Sequence, residues 1–492
     1  MLTTKMESKS SSKARIGKFI LDTLSIGMYN NALMLLREYV QNSVDAIDEI
    51  EAQNGNKKED YSINIEINGR TRSIIISDNG SGISAKQAWT SLHDLGRSVK
   101  RLSHNRGFRG IGRLGGLGYC SLLKFTTKSK GEKVYTVSEW DCKKLRSLLN
   151  HDDHRVIDVA ELIDEVVNFN QYPYHESQED HFFTVELQDV YSSRDILLNV
   201  PAIKAYLAQV APLAFNNKFK FAERINTYLK LNVPHYKTYS LFVNREQIFK
   251  PYTNEIAIGK ENSNRIKDVR LVELKNEDQA LAFGWLAELD LQGSINPTSG
   301  VDGLRLRMGN ILIGDNYSLC ELFRERRFNN YLAGELHIVD HRIVPNSRRD
   351  GFEDNNHKDE LFNLFIKDIG LPYSRMIRDA SKNRNNNRQL EERSQLIKKA
   401  NKIIKDGYLS HHQKKSLVVK LTKFKSVDSA IDGTVNSLIK EVDKTSHYLD
   451  RVNRRINPSR KEKLKSILDI IYTRCQDFTQ AEQIAKDIIK LY

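Results

Sequence analysis

Cysteine is scarce. The four in 492 residues (Cys120, Cys142, Cys320 and Cys475) lie far apart and form no CxxC pair. That argues against a disulfide framework and against a zinc site, and it predicts a reducing, cytoplasmic setting. No apolar run approaches the roughly 18 residues of a membrane span, so no membrane partner is expected. The opening stretch, MLTTKMESKSSSKAR, is rich in Ser and Lys. No hydrophobic signal core follows it, so residues 1–14 read as a disordered start and export is not expected. A GxxxxGK[ST] phosphate loop is missing, as are any internal repeat and any recognisable nuclease motif. What remains is ordinary globular composition, 39% apolar and 28% charged, in a chain long enough for about three domains.

The net charge of +13 is unevenly placed. Leu371 to Tyr492 holds 27 Lys and Arg against 14 Asp and Glu, and the preceding 370 residues hold 49 of each sign. A basic module follows a neutral body. The asymmetry points to an acidic or nucleic-acid partner for residues 371–492, or to a solvated helical surface.

From about Arg15 to Glu51 the pattern is helical. YSINIEI and TRSIIISD then read as strands around an Asn68-Gly69 turn. A glycine-rich loop fills roughly 79–116, and KFTTKS and HFFTVELQDV read as further strands. This order predicts an α+β sandwich for residues 15–198. A second, mixed α/β domain is expected over 199–370. Its elements are the helix AIKAYLAQVA and the strands YSLFVN, LAFGWLAELD, GLRLRMGNILIG (turning at Gly309-Asn310) and ELHIVDHRIV. From 371 onward the pattern is helical, with breaks at Asp406-Gly407, Asp432-Gly433 and Asn457-Pro458.

Three segments carry chemistry. On a helix, the Glu38, Asn42 and Asp45 of REYVQNSVDAID fall within about 60° of one another, and Leu33, Leu36, Val40, Val44 and Ile47 fall opposite. An amide oxygen suits a hard cation such as Mg²⁺, and a carboxylate can orient a water. An amphipathic surface helix with a wet polar face would show the same pattern. The second segment is Asp78-Asn79-Gly80-Ser81-Gly82, directly after SIIIS. Its glycines allow a tight turn and close approach to the backbone, and the Asp can accept from a buried donor such as an exocyclic amine. A plain Asp/Asn/Gly loop is the alternative. The third is RGFRGIGRLGGLGY, with six glycines from Gly107 to Gly118 whose N–H groups can meet an anion. Gly110, Gly112 and Gly115 spell GxGxxG. The dinucleotide reading fails, because no strand leads directly into it and the region some 20 residues on is basic.

Taken in order and spacing, these segments resemble the GHKL ATPase superfamily of gyrase B, heat-shock protein 90, histidine kinases and MutL. Glu38, Asn42, Asp45 and Ala46 match its E-x-x-x-N-x-x-D-A motif. Asp78, Gly80 and Gly82 match D-x-G-x-G, and Gly107, Gly110 and Gly112 match G-x-x-G-x-G. Thr184 fits a later strand threonine, and LGRSVK, with Ser98 and Lys100, resembles the mobile lid. The resemblance covers roughly residues 15–195. It implies a Bergerat-type ATP-binding α/β sandwich with ATP and Mg²⁺ as ligands. Glu38 would be the general base, Asn42 would hold Mg²⁺, and Asp78 would receive the adenine amine with support from Thr184. Gly107, Gly110 and Gly112 would meet the phosphates, and Lys100 would act from the lid.

Residues 199–370 resemble the transducer-type domain that follows the ATPase in this superfamily's dimeric machines. Asn346-Ser347-Arg348-Arg349-Asp350 is similar to the heat-shock protein 90 catalytic loop, with Arg349 on the matching place and Arg348 competing. A guanidinium suits γ-phosphate charge, and a surface Arg pair is the alternative. The resemblance implies an ATP-dependent homodimeric clamp, closest in layout to heat-shock protein 90, MutL and MORC ATPases. It could be chaperone-like or part of a DNA-processing or phage-defence system, with a protein or nucleic-acid partner. A non-hydrolytic ATP sensor or scaffold is the rival reading. A histidine kinase fits worse, since its ATP domain comes last, whereas here it comes first and His411-His412 lie far downstream.

Overall fold

In the computed structural model YSINIEI and TRSIIISD form β1 (Ser62–Asn68) and β2 (Ser73–Asp78), paired antiparallel with Asn68 opposite Ser73. The connection is four residues long rather than a two-residue Asn-Gly turn. Asn68 Oδ1 accepts from Arg70 N (3.0 Å) and Thr71 N (3.2 Å), and Arg72 takes the positive φ of 49°. The structure describes residues 16–21, 31–55, 59–94, 112–150, 157–259, 262–277, 279–346, 348–423, 429–452 and 456–491.

β3 (Leu122–Lys128), β4 (Val134–Asp141), β5 (Val167–Pro173) and β6 (Phe182–Gln188) join the hairpin. Beyond β1 lie β7 (Ser240–Val243) and β8 (Glu246–Gln247), giving an eight-stranded sheet in the order β5-β4-β3-β6-β2-β1-β7-β8. Among the named strand pairs of this sheet, β1–β7 is parallel and the others are antiparallel. One face is apolar, as Ile63, Ile65, Ile74, Ile76, Leu123, Phe125, Val185 and Leu187 show. Against it lies the helix Met34–Asn54, here called the motif helix, through Leu36, Val40, Val44 and Ile47. Each such side chain contributes about 1.5–3 kcal/mol by leaving water. Gly55, at φ 61°, ends this helix.

The expected boundary at 198/199 does not fall at a gap in the core. Ile203, Leu207 and Val210 of the helix Val200–Val210, with Leu241 and Val243 of β7, pack into the same cluster as β1 and β2. YSLFVN, read as part of the second domain, is therefore a strand of the first sheet. β9 (Glu255–Ile258) and β10 (Asn262–Arg265) form a separate pair. β11 (Asp268–Lys275), β12 (Ala280–Glu288), β13 (Gly303–Met308), β14 (Ile311–Ile313) and β15 (Ala333–Ile338) build a second sheet, ordered β11-β12-β15-β13-β14. The Gly309-Asn310 hairpin turn holds, with φ of 55° and 63°.

A buried charge cluster joins the second sheet to the segments that lead from the first. Glu335 of β15 receives Arg307 Nε (2.7 Å) and Lys250 Nζ (2.5 Å), all three side chains being fully buried. Lys250 also donates to Asn310 Oδ1 (2.9 Å), and Asn310 Nδ2 donates to the carbonyl of Lys237 (2.9 Å). Lys237 Nζ in turn meets Asp48 (2.9 Å) and Glu51 (2.7 Å) of the motif helix. Burial works against the charge of Glu335, but Arg307 and Lys250 hold its carboxyl well below the usual range. Burial pulls the Lys250 ammonium down to about 7. Glu335→Gln leaves the two cations without a countercharge. It is expected to cost about 3–5 kcal/mol, read as a fall in the urea midpoint.

The chain divides into two units, Met1–Ile377 and Arg378–Tyr492. The second unit contains the helices His411–Lys423, Ser429–Lys444, Pro458–Arg474 and Phe478–Leu491. The breaks at Asp406-Gly407 and Asn457-Pro458 are present, with Gly407 at φ 94° and Asn457 capping Ser459 N. Asp432-Gly433 is no break: the helix runs through it, since one interior glycine costs only about 1 kcal/mol. Among the described residues no helix is long and apolar enough to cross a membrane.

Candidate nucleotide site

The motif helix is buried on both sides. Glu38 is 17% exposed, and Asp45, on the same side, is 6% exposed. The wet-face alternative is thereby removed, because other segments cover the acid–amide–acid row. Tyr39 fastens one of them: its hydroxyl donates to Arg113 O (3.0 Å) and accepts from Gly116 N (3.1 Å). Gly112 lies so close to the Glu38 carboxylate that a Cβ there would run into Oε2. The end of the glycine-rich segment is a 3-10 turn, Gly112–Gly118, followed by β3.

Arg113 ties this turn to the end of the short helix Ala88–His93, donating to Leu92 O (3.0 Å) and Asp94 O (2.7 Å). Burial pulls its guanidinium down to about 10. Lys100, Gly107 and Gly110, with the LGRSVK segment, lie outside the described residues.

The Asp78 loop packs on the other end of the row. Ser81 N donates to Ala46 O (3.0 Å), and a Cβ on Gly80 would meet Ala46 Cβ at 2.6 Å. Gly82, at φ 64°, has the Lys128 carbonyl where its Cβ would go. Both motif glycines and Ala46 are thus required by close approach. Asn79 anchors the loop to the start of β1, accepting from Ser62 N (2.8 Å) and donating to Asp60 O (2.9 Å). Asp78 is 5% exposed and accepts from Gly80 N (2.9 Å) and the Ser43 hydroxyl. Burial raises its carboxyl from 3.8 to about 6, against the pull of those two donors. A buried carboxylate in this state favours a further donor.

Thr184 does not join Asp78. It pairs with Ser77, and Asp78 pairs with Phe183, so alternation puts the Thr184 side chain on the opposite face of the sheet. In the neighbouring strand β3, Thr127 lies on the Asp78 face, fully buried, and its hydroxyl accepts from Ile83 N (2.8 Å) and donates to Phe182 O (3.1 Å). His181 supports the same loop through Nδ1 to Gly80 O (2.7 Å). Neither was singled out in the sequence. A one-step register count along HFFTVEL against SIIISD would have excluded Thr184, but that pairing is invisible before folding.

Asn42 is half-buried, and its side chain makes no hydrogen bond among the described residues. The amide oxygen therefore fits a hard cation, though no cluster of three or more His, Cys, Asp or Glu suited to a metal occurs among them. Arg37, buried beside Glu38 at 3.9 Å, donates to Arg348 O (2.8 Å). That contact brings the loop after β15 against the motif helix. Within this loop Arg349 adopts φ 54°, its N–H bonds Asn346 O (3.1 Å), and its carbonyl accepts from Gly314 N (2.8 Å).

This geometry agrees with the comparisons. Residues 29–171 match the family model for histidine kinase-, DNA gyrase B- and HSP90-like ATPases. The chain therefore carries a GHKL-type ATPase domain. Over 431 residues, 84% of the chain, it is 22% identical to the chaperone protein HtpG of Buchnera aphidicola subsp. Schizaphis graminum, matching 63% of that protein. Shorter matches of 87 residues link it to HtpG of Buchnera aphidicola subsp. Acyrthosiphon pisum (33% identical) and of Legionella pneumophila strain Lens (34%). Each covers 16% of this chain and 14% of the relative, so all three alignments span less than two thirds of the relatives' length.

Proposed function

We propose that the chain is a Mg²⁺-dependent ATPase working as a homodimeric clamp, in which ATP drives N-terminal closure on a partner. The observation that carries this reading is the pairing of two carboxylates on one buried assembly. Glu38 lies under the glycine turn, and Asp78 lies in the loop packed on the same helix at Ala46. Asp78 would accept the adenine amine. Gly112, with Gly107 and Gly110, would offer N–H groups to the phosphates. Asn42 would hold Mg²⁺, which supplies charge neutralisation at the triphosphate. Glu38 would take the proton of the attacking water. Asp45 lines the same row, and Lys100 would act from the lid. The likeness to HtpG supports a chaperone-like role for the clamp.

Arg349 would meet γ-phosphate charge from the second sheet's loop, since its strained backbone is held from both sides. Arg349→Ala is expected to bind ATP but to hydrolyse it at least tenfold more slowly, and to give less ATP-dependent cross-linking between protomers. Arg348→Ala, which keeps the carbonyl that Arg37 uses, is the control. Greater damage from Arg348→Ala shifts the assignment by one residue. Full turnover in both variants, with no ATP-dependent cross-linking in the parent chain, removes the clamp reading.

A further inference from the structure

The helix His411–Lys423 has two chemically opposite sides. Leu417 and Leu421 are buried in the second unit's own core, against Ala400, Tyr408, Val435 and Val442. His411, Lys415, Val419 and Lys423 are exposed, and their four-residue spacing puts them in one row. The helix contains no Asp or Glu. Two of its other cations are used locally: Lys414 donates to Asp443 O (2.6 Å), and Lys420 lies over the Phe478 ring (5.4 Å). Lys415 and Lys423 pair with no carboxylate among the described residues. Asp469, at the start of the helix, is occupied as its cap, accepting from Ser410 Oγ (2.5 Å) and His411 N (2.7 Å). Asp477 is occupied in the same way, with Thr479 N (2.8 Å).

We propose that this outward face binds the phosphate backbone of duplex nucleic acid. The second unit, from Arg378 on, holds 26 Lys and Arg against 14 Asp and Glu, nearly all of the chain's net charge, so long-range attraction of a polyanion acts on this unit and not on the nearly neutral body. An acidic protein fits less well. Protein interfaces are depleted in Lys and built on apolar or aromatic anchors, and the row offers one valine. Lys415 and Lys423 are about 12 Å apart along the helix axis at 1.5 Å per residue, a separation on the scale of a few phosphates of one strand, which repeat about every 3.4 Å along the duplex axis. Ammonium contacts of this kind position a duplex and carry no sequence information. This assignment does not rest on the ATPase reading.

The test uses the full chain and a short fluorescent duplex, with anisotropy measured between about 50 and 200 mM salt. The parent chain is expected to bind at the lower salt and weaken steeply as salt rises. Lys415→Glu with Lys423→Glu should lower affinity at least tenfold at low salt and reduce the log–log salt slope by about 2. Lys382→Glu with Lys398→Glu makes the same change in net charge elsewhere in the unit and is expected to lose less than threefold. Both pairs are exposed, and unchanged circular dichroism verifies the fold. Three results overturn the proposal: no duplex binding by the parent chain at low salt, equal losses from the two double variants, or capture of poly-glutamate in place of duplex.

Discussion

Glu38→Ala is expected to bind ATP almost as well as the parent chain and to lose about 10²–10⁴-fold in turnover. The asymmetry follows from where the carboxylate stands. It lies under Gly112 and beside Arg37, at the opposite end of the acid–amide–acid row from the Asp78 loop. In the assigned role it acts on water and not on the nucleotide, so binding energy from adenine, phosphates and Mg²⁺ survives its removal. The change also strips a nearby anion from Arg37, whose Nε has no acceptor among the described residues. Some loss of stability is therefore expected, and a melting curve must accompany the kinetics. Glu38→Gln keeps the shape and should show the same loss of turnover with less destabilisation. Phosphate release and calorimetric titration on the same preparations separate the two effects. Turnover within a few-fold of the parent chain would remove Glu38 from the base role. Loss of binding and turnover together would point instead to a collapsed turn at Gly112.

Much of this site was legible because its motifs are local. Helical spacing places Glu38, Asn42 and Asp45 on one side of a helix, and the glycines after SIIISD mark a turn, whereas the roles proposed for these residues come from the order of the motifs and the resemblance they carry. What the spacing could not show is why the motif alanine is small. Ala46 is the floor on which Gly80 and Ser81 rest, a contact between segments 34 residues apart. Tertiary pairing was the harder part. Thr184 has the right residue type in the right strand, but the one-residue register between β2 and β6 sends its side chain to the other face. YSLFVN has the pattern of any half-buried strand, and nothing local says that it pairs parallel with β1. The joint between the sheets was invisible for a related reason. Lys250, Arg307 and Glu335 read singly as surface charges, and only the fold buries them together. At Gly433 the packing of Val435 and Val442 outweighs glycine's weak helix propensity, so the helix continues where a break is expected.

Asp78→Asn is expected to weaken ATP binding ten- to a hundredfold or more, because a buried donor–acceptor pair is lost. An asparagine can turn its NH₂ toward the adenine amine, leaving two donors face to face, at about 1–3 kcal/mol or more for a charged group. The free protein should not suffer. Burial holds the Asp78 carboxyl at about 6, above its ordinary 3.8, so the folded chain takes up this proton more readily than the unfolded chain. The sign follows: between 3.8 and about 6 this group's contribution to stability falls as pH rises, and above about 6 the full cost of the buried charge remains. Asparagine removes that cost. The variant is therefore expected to melt no lower than the parent chain at neutral pH while losing the upward shift that ATP gives. In the proposed role an ionised Asp78 accepts from adenine, so ATP affinity is expected to fall as pH drops through about 6, and Asp78→Asn should flatten that dependence. Calorimetric titrations across this window, on both chains, read the effect directly. Unchanged affinity in the variant, or a parent profile with no inflection near 6, would place the adenine contact elsewhere, with Thr127 and His181 the neighbouring polar groups on the same face.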